Sequence, residues 1–483
     1  SASTARRRSI WPFSGTRNGG PPKTNFQGRC SGRLVTPAGN VPPKDRCNVS
    51  KDDVFHAWFD ERGIEDVEAF VPDMAGSARG KVVPSPKFGQ GQMKMPESVF
   101  AQTVSGDYVK DPDNVEDKDM LLVPDPNTLR PVPWAADPAA SVFLDCYHRD
   151  GSLVAKSPRA VLRSVLAKYE ARGWIPVVAP EVEFYLLSPH SDPNEEAEPP
   201  EGRLGWTEGA NQPYSIDTMN DFDPFVNEVY AFCEAQGISI DTISQEMGPA
   251  QFELNFLHGH AVELADQVFL FKRTVREAAI KHNMHATFLA KPMAEEAGSA
   301  LHIHQSVVDK SGDNIFSNAD GSPSDLFYGF LGGLQHYMND TLLLFAPYVN
   351  SYRRFMNPDS SPVNLAWAID NRTVGLRVPD SGPEARRVEN RLAGADVNPY
   401  LVIAASLACG YLGMTEGLKP TEETEGSAYG QDFGLHKHIY SAVDALRDSD
   451  AMRGMLGDSF VDLYAALKDA EYQEFQEIIT PWE

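Results

Sequence analysis

Cysteine is sparse in this chain and follows no pattern. Five cysteines occur in 483 residues (Cys30, Cys47, Cys146, Cys233 and Cys409), with no Cys-x-x-Cys among them. Neither a zinc framework nor a disulfide framework follows, and a reducing cytoplasm is the plain reading. Long apolar runs are missing as well. The longest, Leu401 to Met414, is too short and too rich in small residues to cross a bilayer. Basic residues are outnumbered, 43 against 68 acidic, which leaves a net charge of −25. That balance argues against nucleic acid as the main partner, and it modestly favours approach of cationic small molecules such as amines. No internal repeats are evident.

Acidic residues are absent from the first 44 positions, where Arg6, Arg7, Arg8, Arg17, Lys23, Arg29, Arg33 and Lys44 precede Asp45. Acid-poor, arginine-rich segments can be organelle addresses, but no amphipathic period is present here. Residues 1–50 are therefore expected to be a disordered basic tail outside the fold. The remaining length exceeds one ordinary core, so two domains are expected, 51–148 and 149–483.

What is present is an irregular alternation of strand and helix signals. Lys51 to Gly63 reads as a short helix, Val67 to Val71 and Gly80 to Val83 as strands, and further short strands reach about Cys146. Ser157-Pro158 is an N-cap followed by a first-turn proline, opening a helix that stops at Gly173. A strand from Trp174 to Leu187 follows, then an acidic, proline-rich loop over 190–220. Asp223-Pro224 opens a helix closed by Gly237, and Leu264 to His282 forms a longer one. Gln251 to Phe256, Leu301 to Val307 and Thr373 to Val378 read as strands, while Asn398 to Gly413 and most of 437–478 read as helix. The class implied is α+β with a large mixed or antiparallel sheet.

Four segments place metal-competent or anion-binding residues two apart: Glu181/Glu183, Gln251/Glu253, His302/His304 and Arg387/Glu389/Arg391. Residues at i and i+2 share one strand face, so each segment presents paired groups to one side of a sheet. Each has a plainer alternative when taken alone. Glu181/Glu183 could be an exposed face, Glu246-Met-Gly-Pro-Ala-Gln-Phe-Glu253 a hairpin with polar ends, and the arginines a surface run or ion-pair ladder. The Gly298 turn feeding His302, His304 and Ser306 admits close ligand approach. Five arginines within twenty positions (Arg372, Arg377, Arg386, Arg387, Arg391) suit carboxylate and phosphate. Carboxylates, imidazoles and arginines together suit ATP-dependent chemistry on a carboxylate.

In this order, the motifs E-x-E, E-x-G-P-x-Q-x-E, G-S-x-x-H-x-H-x-S, N-S-Y-R-R, N-R-x-x-x-x-R and R-R-V-E-x-R closely resemble the glutamine synthetase superfamily. The resemblance covers about residues 51–483 and is densest from Glu181 to Tyr400. It implies an N-terminal β-grasp domain, a catalytic sheet funnel flanked by helices, and a homo-oligomer of double rings with active sites between subunits. It also implies ATP and two or more Mg²⁺ or Mn²⁺ ions as cofactors. Glu183, Glu246 and Glu253 would hold one ion, and Glu181, His302 and Glu389 the second. His304 and Ser306 would lie along the nucleotide, with Arg372, Arg377 and Arg387 along its phosphates. Arg354 would hold the glutamate α-carboxylate, Gly298 the amino group, and Arg391 the reacting γ-carboxylate. The catalytic set is then Arg391, Arg372 and Glu389.

The reaction so implied converts the γ-carboxylate into an acyl phosphate, which a neutral amine opens to a γ-glutamyl amide. Departures from the ammonia-using pattern bear on that amine. Ser360, beside Asp359, stands where those members carry a glutamate, and Val99 to Asp107 lacks their Asp-Gly-Ser-Ser. Ala297 replaces an asparagine, and the Asn-Leu-Tyr-Asp-Leu adenylylation segment is missing. These departures resemble γ-glutamylpolyamine ligases, so a polyamine or monoamine such as putrescine is the expected acceptor. The alternatives are glutamine synthetase itself and an inactive, structural family member.

Overall fold

The computed structural model describes residues 51–189, 196–356, 361–362, 364–431 and 434–479. The expected basic tail, and the Asp359 and Ser360 departure, lie outside these residues. The chain adopts the expected α+β class, with two sheets and eleven α-helices among the described residues.

The first sheet follows helix α1 (Lys51–Arg62) and uses β1 (Asp66–Pro72), β2 (Ala78–Pro84), β3 (Met93–Pro96), β4 (Asp119–Pro124), β5 (Arg130–Pro131) and β6 (Ala139–Tyr147). Its order is β2-β1-β6-β4-β3, with β5 on β6, and β1 with β6 is its parallel pair. The second sheet collects β7 (Ile175–Leu187), β8 (Ile240–Gln245), β9 (Gln251–Phe256), β10 (Gly259–His260), β11 (His285–Thr287), β12 (Leu301–Val308), β13 (Trp367–Ile369), β14 (Leu376–Val378) and β15 (Val388–Asn390). Its order is β13-β14-β15-β12-β7-β9-β8, with β10 and β11 added to β7. Only β13 with β14 is parallel in it.

Alternation sorts β7 into two faces. Val178, Val182 and Phe184 are buried with Phe252 and Leu254 of β9 and Leu301 and Ile303 of β12. The ring of Phe184 stacks on Phe252 and meets Phe271 edge-on. Phe271 belongs to α5 (Ala261–Lys281), so this face packs on helices. Each such ring contributes about 1.5–3 kcal/mol through burial. The opposite face keeps Glu181 and Glu183. Pro180 does not interrupt the β7–β12 ladder, because it pairs in register with Ile303. On its other side β10 pairs with Val177 and Val178 and β9 pairs from Glu181 onward, so Pro180 falls between the two ladders, where its missing N–H breaks neither.

The caps expected from sequence appear. Ser157 caps α2 (Pro158–Ala171) and Gly237 closes α4 (Asp223–Gln236) in the left-handed region; Asn398, read from sequence only as the first residue of a helical stretch, caps α8 (Pro399–Glu416). The short α3 (Ile216–Asp221) interrupts the loop before α4. Helix α6 (Asp325–Phe345) has no such forecast, because Gly329, Gly332 and Gly333 inside it count against a helix. It packs on α8 backbone to backbone. A Cβ on Gly333 would lie 2.2 Å from the Cys409 carbonyl, and one on Gly413 would lie 2.1 Å from the Gly329 carbonyl. Helix α6 leads into α7 (Val349–Arg354), and α9 (Ile439–Asp448), α10 (Asp450–Leu456) and α11 (Asp458–Gln476) complete the chain.

Buried Arg159 of α2 ties the layers together. It forms a bidentate pair with Asp266 of α5 and bonds Asp145 of β6 and Asp125. None of the described helices is long and apolar enough to cross a membrane.

Candidate active site

Register brings the polar pairs together. On β12 and β7, His302 stands opposite Glu181, and on β7 and β9, Glu183 stands opposite Glu253. On β15, Glu389 faces His304 of β12 on one side and Arg377 of β14 on the other. Four of the sequence motifs thus meet on one sheet face. Opposed carboxylates such as Glu183 and Glu253 repel unless a cation or proton intervenes.

His302 sits at the centre. Its Nδ1 lies 3.3 Å from Glu181, 3.8 Å from Glu389 and 4.0 Å from Glu253, and its Nε2 lies 4.0 Å from Glu183. Burial, helped by the charge of Arg391, lowers its pKa to about 4, so the imidazole is neutral and keeps a lone pair. His304 is engaged differently. Arg387 Nε donates to His304 Nδ1 at 3.2 Å, which requires that nitrogen to accept. The remaining proton then sits on Nε2, 2.9 Å from Glu181 Oε1. Of the two imidazoles, His302 is therefore the one free to meet a cation.

Two triads hold their ligand atoms within 4.8 Å of one another: Glu181, Glu253 and His302, and Glu181, His304 and Glu389. They cut across the two expected sets, since Glu181 belongs to both. Among the described residues, Glu183 on β7 and Glu246 on the turn before β9 lie in neither triad, while His304, expected along the nucleotide, joins the second.

Charge is unevenly balanced across the cluster. Burial, then the neighbouring charge of Glu246, pushes the Glu183 carboxyl up to about 8. Burial raises Glu246 and Glu253 too, with Glu181 adding to both. Glu389 is almost fully buried, yet Arg391 and the two histidines outweigh burial and hold it at about 2. Burial also opposes ionisation of Glu181, but its bonds to His302 and His304 prevail and hold it low. The donor set, oxygen-rich with one available imidazole and short of positive charge, fits hard divalent cations.

Beside the carboxylates lies an arginine group. Glu389 accepts from Arg377 Nη1 at 2.8 Å and from Arg391 Nη1. Arg354, from α7, reaches the carbonyls of Leu392 and Arg391 at 2.9 and 3.1 Å. The buried Nε atoms of Arg354, Arg377 and Arg391 have no hydrogen-bond partner among the described residues, a state that suits donors awaiting an anion. Gly298 meets this group directly, since a Cβ there would lie 2.7 Å from Arg354 Cγ. Arg372 is exposed, and its charge is felt at Glu246. Ser306 lies two residues beyond His304 on the same face, opposite Val177. Arg386 turns away to Ser317 and Gly321, so the five arginines are not one cluster.

Sequence reading assigned no role to three residues that organise the site. Gln251 Nε2 lies 3.3 Å from Glu183 and 3.1 Å from the Gly298 carbonyl. Tyr185 donates to the Ala297 carbonyl. Glu208 accepts from Gln245 Nε2 and the Ala250 N–H, so it tethers the exposed stretch around Leu204, Trp206 and Tyr214 to the Glu246 turn. The i, i+2 spacing had already marked Gln251 with Glu253, though without a role, and the same spacing of Tyr185 with Glu183 is the signal that could have found the tyrosine. Glu208, in irregular chain, offered none.

Residues 155–483 match the family described as glutamine synthetase, catalytic domain. The γ-glutamylputrescine synthetase PuuA of Escherichia coli (strain K12) is 38% identical over 430 residues, covering 86% of this chain and 90% of that protein. The glutamate–isopropylamine ligase of a Pseudomonas species is 35% identical over 372 residues, 76% of this chain and 80% of that protein. Among solved structures, ligand-free GmaS superposes with a TM-score of 0.76 at 28% identity, over 90% of this chain and 98% of that one.

Proposed function

The chain belongs to the glutamine synthetase family, and we propose that it is an ATP-dependent glutamate–amine ligase forming γ-glutamyl amides. One observation carries the reading above all: the register that sets His302 against Glu181, Glu183 against Glu253, and His304 and Arg377 against Glu389. The match to two amine ligases supports an amine rather than ammonia as acceptor.

In this reading Glu181, Glu183, Glu246, Glu253, His302 and Glu389 hold Mg²⁺ or Mn²⁺. Such ions would screen the charge gathered on the carboxylate and the transferring phosphoryl group. Arg354 holds the α-carboxylate of glutamate, and the Gly298 main chain meets its amino group. Arg391 faces the γ-carboxylate, where its free Nε–H can follow charge as it develops. Arg372, Arg377 and Arg387 line the ATP phosphates, with His304 and Ser306 along the nucleotide. Arg377 would have to leave Asp370, its exposed second partner, to do so. Assembly as a double ring of identical subunits belongs to the same proposal.

The test is phosphate release with ATP, Mg²⁺ and glutamate across ammonium, putrescine, spermidine, ethanolamine and alkylamines. Stimulation by a larger amine at least tenfold above ammonium, in kcat/KM, is the expected result. Preference for ammonium would make the protein a glutamine synthetase proper, and silence with every amine would overturn the ligase reading.

The metal assignment has its own signature in pH. Glu183 binds its proton up to about pH 8 in the folded state but only to the ordinary carboxyl range when unfolded. The metal-free fold therefore loses stability as pH rises between those values. A cation displaces that proton, so its stabilising effect grows over the same window. Glu181 and Glu389, held low, stay ionised throughout and do not contribute to the trend. Buried Lys272, lowered to about 7, acts in the opposite sense, so the diagnostic quantity is the metal-dependent increment alone. Saturating Mn²⁺, worth about 2.7 kcal/mol at one hundred times Kd, should raise Tm more at pH 8 than at pH 6. Glu246 and Glu253, raised by burial as well, act in the same sense as Glu183, so an increment independent of pH would count against all three carboxylates as ligands.

A further inference from the structure

We propose that Tyr185 is a positioning residue that locks the Ala297-Gly298 segment, where glutamate is read, to the turn from Glu246 to Gly248; this rests on the ligase reading above. Tyr185 follows Glu183 by two positions on β7, so the two side chains leave the same face of the sheet. It is fully buried, and its hydroxyl donates to the Ala297 carbonyl at 2.8 Å. The same phenol covers Gly248, where a Cβ would fall 1.9 Å from its oxygen. Glycine at 248 is what lets the turn close over the ring.

Gln251, the register partner of Tyr185 on β9, makes a second tie between the same two segments. Its Oε1 accepts the Gly248 N–H at 2.8 Å while its Nε2 donates to the Gly298 carbonyl. The two ties fix successive carbonyls, 297 and 298. Alanine at 297 has no side-chain donor or acceptor, so this stretch is held through its main chain. Gly298 in turn abuts Arg354, so a shift of the segment displaces the surface against which the glutamate head group would rest. A ring present only to fill space would need no hydroxyl. Here the hydroxyl uses its one donor on that carbonyl.

Tyr185→Phe keeps the ring and removes the tie. The apparent KM for glutamate should rise about 5- to 30-fold, the effect of one lost buried hydrogen bond. By contrast, kcat, the KM for ATP and the metal dependence should stay near parental values. A glutamate KM within about twofold of the parent would overturn the proposal. So would a joint loss in every constant with a fall in Tm, which is what general destabilisation produces.

Hydrogen exchange without substrates separates this claim from the ligase reading. Residues 294–299 should exchange faster in the variant while β12 is unchanged. Faster exchange there, with a parent enzyme indifferent to glutamate, would remove the ligase reading and keep the lock. Unchanged exchange would remove the lock whatever the substrate proves to be.

Discussion

Glu389→Gln lowers amine-dependent phosphate release by about a thousandfold or more and also destabilises the fold. The carboxylate is 1% exposed and accepts from both Arg377 and Arg391, with His302 3.8 Å away. Losing its charge leaves two guanidinium groups near each other without their shared anion. Breaking a buried pair of this kind costs roughly 3–5 kcal/mol. The loss in rate exceeds what stability explains, because the amide can neither neutralise a divalent cation nor hold both arginines. Turnover measured where the variant remains folded, by circular dichroism, separates the two effects. Activity within tenfold of the parent under those conditions would remove Glu389 from the metal site.

Arg354→Lys raises the KM for glutamate about a hundredfold and leaves the KM for ATP nearly unchanged. The substitution keeps a positive charge, so the expected loss isolates geometry from charge. Arg354 spends two donors on the carbonyls of Leu392 and Arg391 and still has an unpartnered Nε–H. A lysine cannot brace two carbonyls and also present a flat fork to a carboxylate, a preference worth several-fold to a hundredfold in recognition. Burial depresses the guanidinium to about 10, still well above neutrality, so protonation stays constant across an ordinary assay range. An unchanged glutamate KM would remove the α-carboxylate role.

Much of this arrangement was legible in residue order. Period-two spacing marked the strands bearing Glu181, Glu253 and His302, and start and stop residues marked α2 and α4 close to their observed ends. The pairing between those strands was not legible. Nothing in sequence spacing says that Glu389 stands between His304 and Arg377, because register between distant strands is set by which apolar faces pack. Helix α6 escaped because three glycines, Gly329, Gly332 and Gly333, sit inside it, where glycine counts against a helix. The strand forecast for Thr373 to Val378 shrank to Leu376–Val378, since Thr373 turns with Asn371, accepting from the Ala428 N–H and donating back to Asn371. Divided loyalties also escaped: a list of arginines does not reveal that Arg386 serves the loop at Ser317 while Arg387 sets the tautomer of His304.

The glycine seam between α6 and α8 bears on how such a catalyst can diversify. Helix α6 runs on into α7 and Arg354, and β15 with Arg391 leads toward α8. Where the two helices touch through bare backbone, there is no side-chain layer to thicken or thin by substitution. The span between those arginines is thus close to a fixed gauge, and a larger or smaller acyl substrate could not be accommodated by gradual change there. The exposed stretch from Leu204 to Ile216 is under no such constraint, since Glu208 anchors it to the Glu246 turn through a few hydrogen bonds. Novelty in a lineage built on this frame would therefore accumulate along that exposed stretch and not at the arginine-lined centre.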